Sequence, residues 1–332
     1  MTRPRFLRWI VPVVVLAIAT AACGSRSPNA LGPHGSEARH IAGVWWLMFG
    51  LAAAVYVVVA GFIVVGALRG RRTEHGRPSR IGDTAFIWIG GILVPVAILA
   101  VLAVVTVTTT RVLRTAHHGE LRIEVVGKRW WWDVQYPTLG ITTANEVRVP
   151  VGRPVGIGLD SDNVIHSFWV PQLAGKVDQI PGQHNVLRFT AEKAGTYRGL
   201  CAEFCGLEHA RMEFVVLAVP ADEFDRWVAR RARPPAPPED ELAARGQRVF
   251  LREACAGCHA VAGTTATATV GPDLTDFGGR ASIGAVTVPN DRGHLAGWIV
   301  DSQAVKPGNL MPPLTLSPAD LDALVAYLES LK

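Results

Sequence analysis

Two long stretches, residues 41–68 and 84–110, carry no charged side chain, and they limit the possible folds more than any other feature of the chain. The first is about 28 residues long, which at about 1.5 Å per helical residue exceeds a bilayer core. Both predict membrane-spanning helices. Between them lie Arg69, Arg71, Arg72, Arg77 and Arg80 against Glu74 and Asp83. A short basic loop of this kind stays in the cytoplasm, so both ends of a hairpin over 41–110 face outside. Trp45 and Trp46 at the outer end and Trp88 near the inner end suit interfacial aromatic belts or plain packing against lipid.

Ahead of the hairpin, Arg3, Arg5 and Arg8 precede an apolar run and then Ala21-Ala22-Cys23. A basic end, a short apolar stretch and small residues before the cut define a signal peptide, expected over 1–22, with an N-terminal linker over 23–40. Ala21-Ala22-Cys23 resembles a bacterial lipobox, although Thr20 stands where that motif usually has Leu. Cys23 is therefore either a lipidation site or a bystander thiol behind a plain signal peptide or uncleaved anchor. Membrane lipid is a partner in each case.

With 332 residues and 49% of them hydrophobic, the chain exceeds one small domain and is too apolar for an ordinary soluble protein. Its formal charge of +5 is carried by arginines near the apolar spans and forms no basic stripe, which excludes nucleic acid as a partner. Five cysteines cannot all pair. They sort into Cys23, then Cys201 with Cys205, then Cys255 with Cys258. Everything from Arg111 onward is expected outside the plasma membrane of a bacterium. A cysteine kept in that compartment is a disulfide partner, a metal ligand or a covalent attachment point.

From Glu120 to Pro220, within a domain expected over 111–228, the helical pattern disappears and short alternating runs appear, such as Leu121, Ile123 and Val125, or Val147 and Val149. Turn formers such as Pro137-Thr138-Leu139-Gly140 separate them, which predicts a small antiparallel sandwich or barrel. Late in this domain comes Cys201-Ala202-Glu203-Phe204-Cys205-Gly206-Leu207-Glu208-His209-Ala210-Arg211-Met212, with His166 far upstream. Two thiolates, two imidazoles and a thioether are the soft and borderline ligands that select copper. A Cys201–Cys205 disulfide or a tetrahedral zinc site would each leave Met212 unused.

These residues resemble the CuA domain of cytochrome c oxidase subunit II, a cupredoxin fold, from the hairpin through Pro220. The resemblance implies a binuclear copper centre bridged by Cys201 and Cys205. His166 and Met212 would complete one copper, and His209 with the backbone carbonyl of Glu203 the other. The Glu203 carboxylate would also reach a Mg or Mn ion at the junction with subunit I. Gly127-Lys128-Arg129-Trp130-Trp131-Trp132 resembles the family's aromatic stretch, whose first Trp receives the electron, here Trp130. On a strand, Trp130 and Trp132 point to one side and Trp131 to the other, so at least one ring fills the core. Asp83 departs from the acidic Trp-Thr pattern that opens the family's second span, and a helix N-cap is expected of it instead.

Arg230-Arg231-Ala232-Arg233-Pro234-Pro235-Ala236-Pro237-Pro238 cannot be regular helix or strand and marks a stiff spacer over 229–240. The module over 241–332 opens with a helical run at 242–251 that leads into Cys255-Ala256-Gly257-Cys258-His259. In an exported chain this is the attachment signature of haem c, with thioethers on Cys255 and Cys258 and His259 under the iron. Met311 in a proline-rich loop is the expected sixth ligand, and His294 is its competitor. Residues 271–274 and the closing helix 317–331 resemble the cytochrome c fold.

The fold expected is a multidomain membrane protein: a transmembrane α-helical hairpin, an all-β cupredoxin-like CuA domain and a small all-α cytochrome c domain. The resemblance implies a caa-type haem-copper oxidase subunit, passing electrons from a donor by haem c and CuA to the haem of subunit I, where oxygen reduction drives proton pumping. Subunits I and III are the implied partners, with a cytochrome bc complex or a cytochrome c upstream. Residues 239–332 hold eleven acidic and seven basic side chains, which suits a basic donor. The alternatives are the electron-input subunit of a nitric oxide reductase and a membrane-tethered copper-delivery or thiol-redox protein.

Overall fold

The computed structural model describes residues 28–70, 82–116 and 118–332. The signal-peptide segment, Cys23 and the basic loop 71–81 lie outside the described residues, as does the side chain of Asp83.

Helix α1 (Ser36–Gly70) has 35 residues, about 50 Å of rise, which is more than a bilayer core requires. Its surplus lies at the start, where Glu37, Ala38 and Ala42 are buried against the domain that follows the hairpin. The Thr190 amide donates to Glu37 Oε2 (2.9 Å) and the Ala38 amide to the Leu173 carbonyl (3.2 Å). Arg39 pairs with Glu192. The second span runs as α2 (Asp83–Trp88), a π-helical turn (Ile89–Leu93) and α3 (Val94–Arg114). Pro95 has no amide hydrogen to give the turn before it, which is where the helix widens. Gly82 takes the N-cap, so Asp83 is the first helical residue and not the cap expected of it. Both spans are long and apolar enough to cross a membrane, with Val57, Phe62, Ile63 and Leu99 exposed along them.

Ten strands follow: β1 (Leu121–Lys128), β2 (Trp131–Tyr136), β3 (Ile141–Ala144), β4 (Glu146–Pro150), β5 (Pro154–Ser161), β6 (His166–Trp169), β7 (Val177–Gln179), β8 (Asn185–Thr190), β9 (Gly195–Cys201) and β10 (Glu213–Val219). They form two five-stranded sheets, ordered β3-β2-β1-β5-β8 and β4-β10-β9-β6-β7. The sheets are mixed and not purely antiparallel. Strands β1 and β5 pair in parallel, as do β4 and β10, because the chain leaves each sheet between those strands and comes back in the same direction. Alternate residues of β1 face inward, so Leu121, Ile123 and Val125 meet Trp132, Phe168 and Phe214 in one core.

Helix α4 (Ala221–Arg231) closes this domain with Phe224 and Trp227, the latter edge-on to Tyr136 at 5.2 Å. It carries Arg230 and Arg231 in its last turn, so the irregular spacer starts later than the basic run suggests. In the last module α5 (Glu241–Arg252) crosses α8 (Pro318–Ser330), with α6 (Arg292–Val300) and α7 (Ser302–Val305) between them in sequence. The crossing is tight at Gly246, where a Cβ would lie 1.9 Å from the Ala323 carbonyl oxygen. Asp240, Asp291, Asp301 and Ser317 each cap a helix with a side-chain oxygen. A two-residue hairpin, β11 (Ser282–Ile283) with β12 (Val288–Pro289), interrupts the helices.

Candidate copper and haem sites

Cys201 ends β9, and the chain then loops through Cys205 and one turn of 3₁₀ helix (His209–Arg211) before Met212 leads into β10. The loop closes on itself, since the Cys201 amide donates to the Met212 carbonyl at 3.1 Å. His166 opens β6, the strand beside β9, and so arrives over the same loop. The two sulfurs lie 3.8 Å apart. Around Cys201 are His166 Nδ1 at 3.9 Å and the Glu203 carbonyl oxygen at 3.1 Å. Around Cys205 are His209 Nδ1 at 3.6 Å and Met212 Sδ at 3.7 Å. All six groups anticipated from the sequence converge, with the Glu203 side chain half-buried at the rim.

The electrostatics call for a cation. The hydrogen bond from Cys205 holds the Cys201 thiol well below its ordinary range, and the same shared proton, with burial, pushes Cys205 up. Two buried sulfurs so close together cannot both ionise unless positive charge comes between them. Met212 is 0% exposed, and its thioether adds softness to the set. Asn163, which the sequence did not single out, accepts from His166 Nε2 at 3.2 Å and leaves Nδ1 free to ligate.

Trp130 lies outside β2, in the turn before it, so strand alternation does not link it to Trp132. Trp132 fills the core, fully buried; Trp130 is buried in the same core and, together with Trp131, also lines a cavity. Trp130 Nε1 donates to the Cys205 carbonyl at 3.0 Å, which joins its ring directly to the sulfur loop.

That cavity is open to solvent at its mouth and largely apolar. Cys255, Cys258, His259 and Met311 line it, together with Leu310 and Phe250. His259 Nδ1 donates to the Pro272 carbonyl at 2.8 Å, which turns Nε2 toward the space. A Cβ at Gly271 would come within 2.6 Å of His259 Cε1, so only glycine permits this ring position. Burial holds His259 below its ordinary value, in the neutral form a metal ligand needs, and pushes the Cys255 thiol up to about 11. The Met311 loop is cross-braced: the Met311 carbonyl accepts from Ser302 Oγ (2.7 Å) and Gln303 Nε2 (3.0 Å), and its amide donates to Asn309 Oδ1 (2.8 Å). Neither Ser302, Gln303 nor Asn309 carries a sequence signature. His294 is absent from the lining and pairs on the surface with Asp291 at 2.6 Å.

Residues 139–219 match the model of the cytochrome C oxidase subunit II periplasmic domain, and residues 243–332 match that of cytochrome c. Cytochrome c oxidase subunit 2 of Alkalihalophilus pseudofirmus is 36% identical across all of this chain and 98% of its own length. The chain belongs to the cytochrome c oxidase subunit II family. The subunit of Bacillus sp. strain PS3 is 32% identical over 80% of each chain, and that of Bacillus subtilis is 29% identical over 98% of each. With both domains matched, this is a subunit II that carries a cytochrome c domain, the caa-type layout. It is a membrane-bound component of an oxidoreductase complex, it works with other oxidase subunits, and its two domain families imply copper and haem.

Proposed function

We propose that this chain is the electron-input subunit of a caa-type oxidase, relaying electrons from a donor to subunit I, where oxygen reduction is coupled to proton pumping. Haem c would be held by thioethers from Cys255 and Cys258 with His259 and Met311 as axial ligands, and the binuclear CuA centre by Cys201, Cys205, His166, His209, Met212 and the Glu203 carbonyl. Each group supplies a reversible one-electron couple when bound. The observation that carries the proposal is Trp130, which lines the cavity of Cys255 and His259 and donates a hydrogen bond to the carbonyl of Cys205. One ring thus spans both ligand sets.

The protein's work is positioning. Asn163 fixes the His166 tautomer, Pro272 fixes that of His259, and the burial of Met212 keeps water from the sulfurs. The start of α1 and the end of α3 both meet the copper domain, since the Arg114 carbonyl accepts from Arg188 (3.5 Å). These contacts support a layout with both soluble domains on one side of the membrane, and the basic loop between the spans supports the periplasmic or extracellular side. Subunits I and III would complete the complex, with the Glu203 carboxylate reaching a Mg or Mn ion toward subunit I. A cytochrome bc complex or a cytochrome c is the donor class, and Cys23 would add a lipid anchor.

The test is the EPR spectrum of the purified full-length chain together with the Met311→Ala variant. One unpaired electron coupled equally to two coppers supports the proposal, as does a changed haem spectrum in the variant. A mononuclear signal, stoichiometric zinc or an unchanged haem spectrum would overturn the corresponding assignment.

A further inference from the structure

Lys306 is 2% exposed, and a fully buried lysine nearly always has a partner for its charge. None of its three hydrogen-bond partners is a carboxylate. An ammonium has three N–H donors, and here each finds a backbone carbonyl: Arg211 at 2.7 Å, Trp130 at 2.8 Å and Gly284 at 2.8 Å. The choice of carbonyls is informative. Arg211 precedes the copper ligand Met212, and Trp130 is the ring that bonds to the Cys205 carbonyl. Gly284 lies between the two short strands of the cytochrome domain, and Lys306 itself begins the loop that carries Met311.

We propose that Lys306 is a positioning residue that pins the cytochrome domain to the copper domain and sets the Met311 loop against Trp130. This rests on the relay proposed above. Nothing in the chemistry of either centre needs an ammonium at that place. What it satisfies is a junction where three carbonyls from two domains converge away from water, each costly if left unpaired. The junction has further built contacts around it. The Ala281 amide donates to Glu146 Oε1 (3.0 Å), the Glu213 amide to the Ala285 carbonyl (3.4 Å), Arg280 Nη2 to Thr143 Oγ1 (3.3 Å) and Lys128 Nζ to the Thr269 carbonyl (3.2 Å). Losing Lys306 would therefore loosen the docking without unfolding either domain.

The test uses the assembled oxidase with Lys306→Met, which keeps the stem and removes all three donors, and Lys306→Gln, which keeps two. Flash-induced electron transfer from haem c to copper is timed, and hydrogen exchange is followed at the amides of Ala281 and Glu213, which bond across the junction. We expect the Met variant to slow the transfer several-fold, because electron transfer between two centres falls steeply as they move apart, with the Gln variant between. Both amides should exchange faster, while the EPR signal of copper, the haem spectrum and electron transfer from copper to subunit I stay unchanged. An unchanged transfer rate with unchanged exchange in the Met variant overturns the proposal, and so does a change in either spectrum, which would mark a local structural role. If the wild-type oxidase shows no transfer from haem to copper, the relay is what fails. The exchange of the two amides then decides the pinning role by itself.

Discussion

At the scale of single residues, the two sites use the same device twice. A histidine offers one ring nitrogen to the ligand position because a neutral oxygen takes the proton of the other: Asn163 for His166 and Pro272 for His259. The backbone does this for His259, the proposed haem ligand, so no substitution of Pro272 removes the carbonyl. A side chain does it for His166, the proposed copper ligand, which makes Asn163 testable. Asn163→Leu should weaken copper retention by about 10- to 100-fold in competition with a chelator, with the fold and the haem spectrum retained. Unchanged retention would mean that β6 alone holds the ring. The candidate ligands could be named from the sequence because copper and haem demand uncommon residue types at fixed spacings. Asn163, Ser302, Gln303, Asn309 and Lys306 could not, because amides, hydroxyls and lysines occur everywhere and gain meaning only from what they face.

At the scale of elements, α1 does two jobs along one rod. Its later part has the charge-free pattern of a span, and its first turns belong to the soluble domain through Glu37 and Ala38. Glu37 accepts from a backbone amide of β8 while almost fully buried. Glu37→Ala should destabilise the detergent-solubilised chain by about 1.5–3 kcal/mol, measured by thermal unfolding, because a charge-assisted bond is lost and the Thr190 amide is left bare. The hairpin and the strand content followed from hydropathy, yet three element-scale features did not. The mixed sheets depend on which strands the chain returns beside, and alternation within a strand says nothing about its neighbour's direction. Trp130 left the strand because β2 begins one residue later, and α4 kept Arg230 and Arg231 because the prolines that end it come further on.

At the scale of the whole molecule, the junction between copper and cytochrome domains is polar and buried, which makes it sensitive to protonation. Burial raises Glu146 above its ordinary value of 4.5, against the hydrogen bond from Ala281 and the nearby Arg280. The docked chain therefore holds this proton longer than the unfolded chain does. The contribution to stability is complete below the ordinary carboxylate value and is lost as pH climbs through the raised one. In Glu146→Gln the amide oxygen can still accept from Ala281 and no charge develops. The midpoint of thermal unfolding should shift in favour of this variant as pH climbs from about 4.5 through the raised value of Glu146, and then hold steady. A difference independent of pH would show that Glu146 does not titrate across the junction.

The proline-rich spacer changes what kind of reaction the two domains undergo. About nine residues of extended chain, at about 3.1 Å each, reach about 28 Å, and a short tether keeps its two ends at effective concentrations in the millimolar range. At such concentrations an attraction of about 4 kcal/mol or more, corresponding to a Kd of about 1 mM or below, keeps the partners together most of the time. Under the relay proposed above, electron delivery to copper would then be first order, indifferent to how much cytochrome the surrounding fluid contains. Such an oxidase would not wait for that collision, and any dependence on supply would move one step outward, to the meeting of the cytochrome domain with its donor.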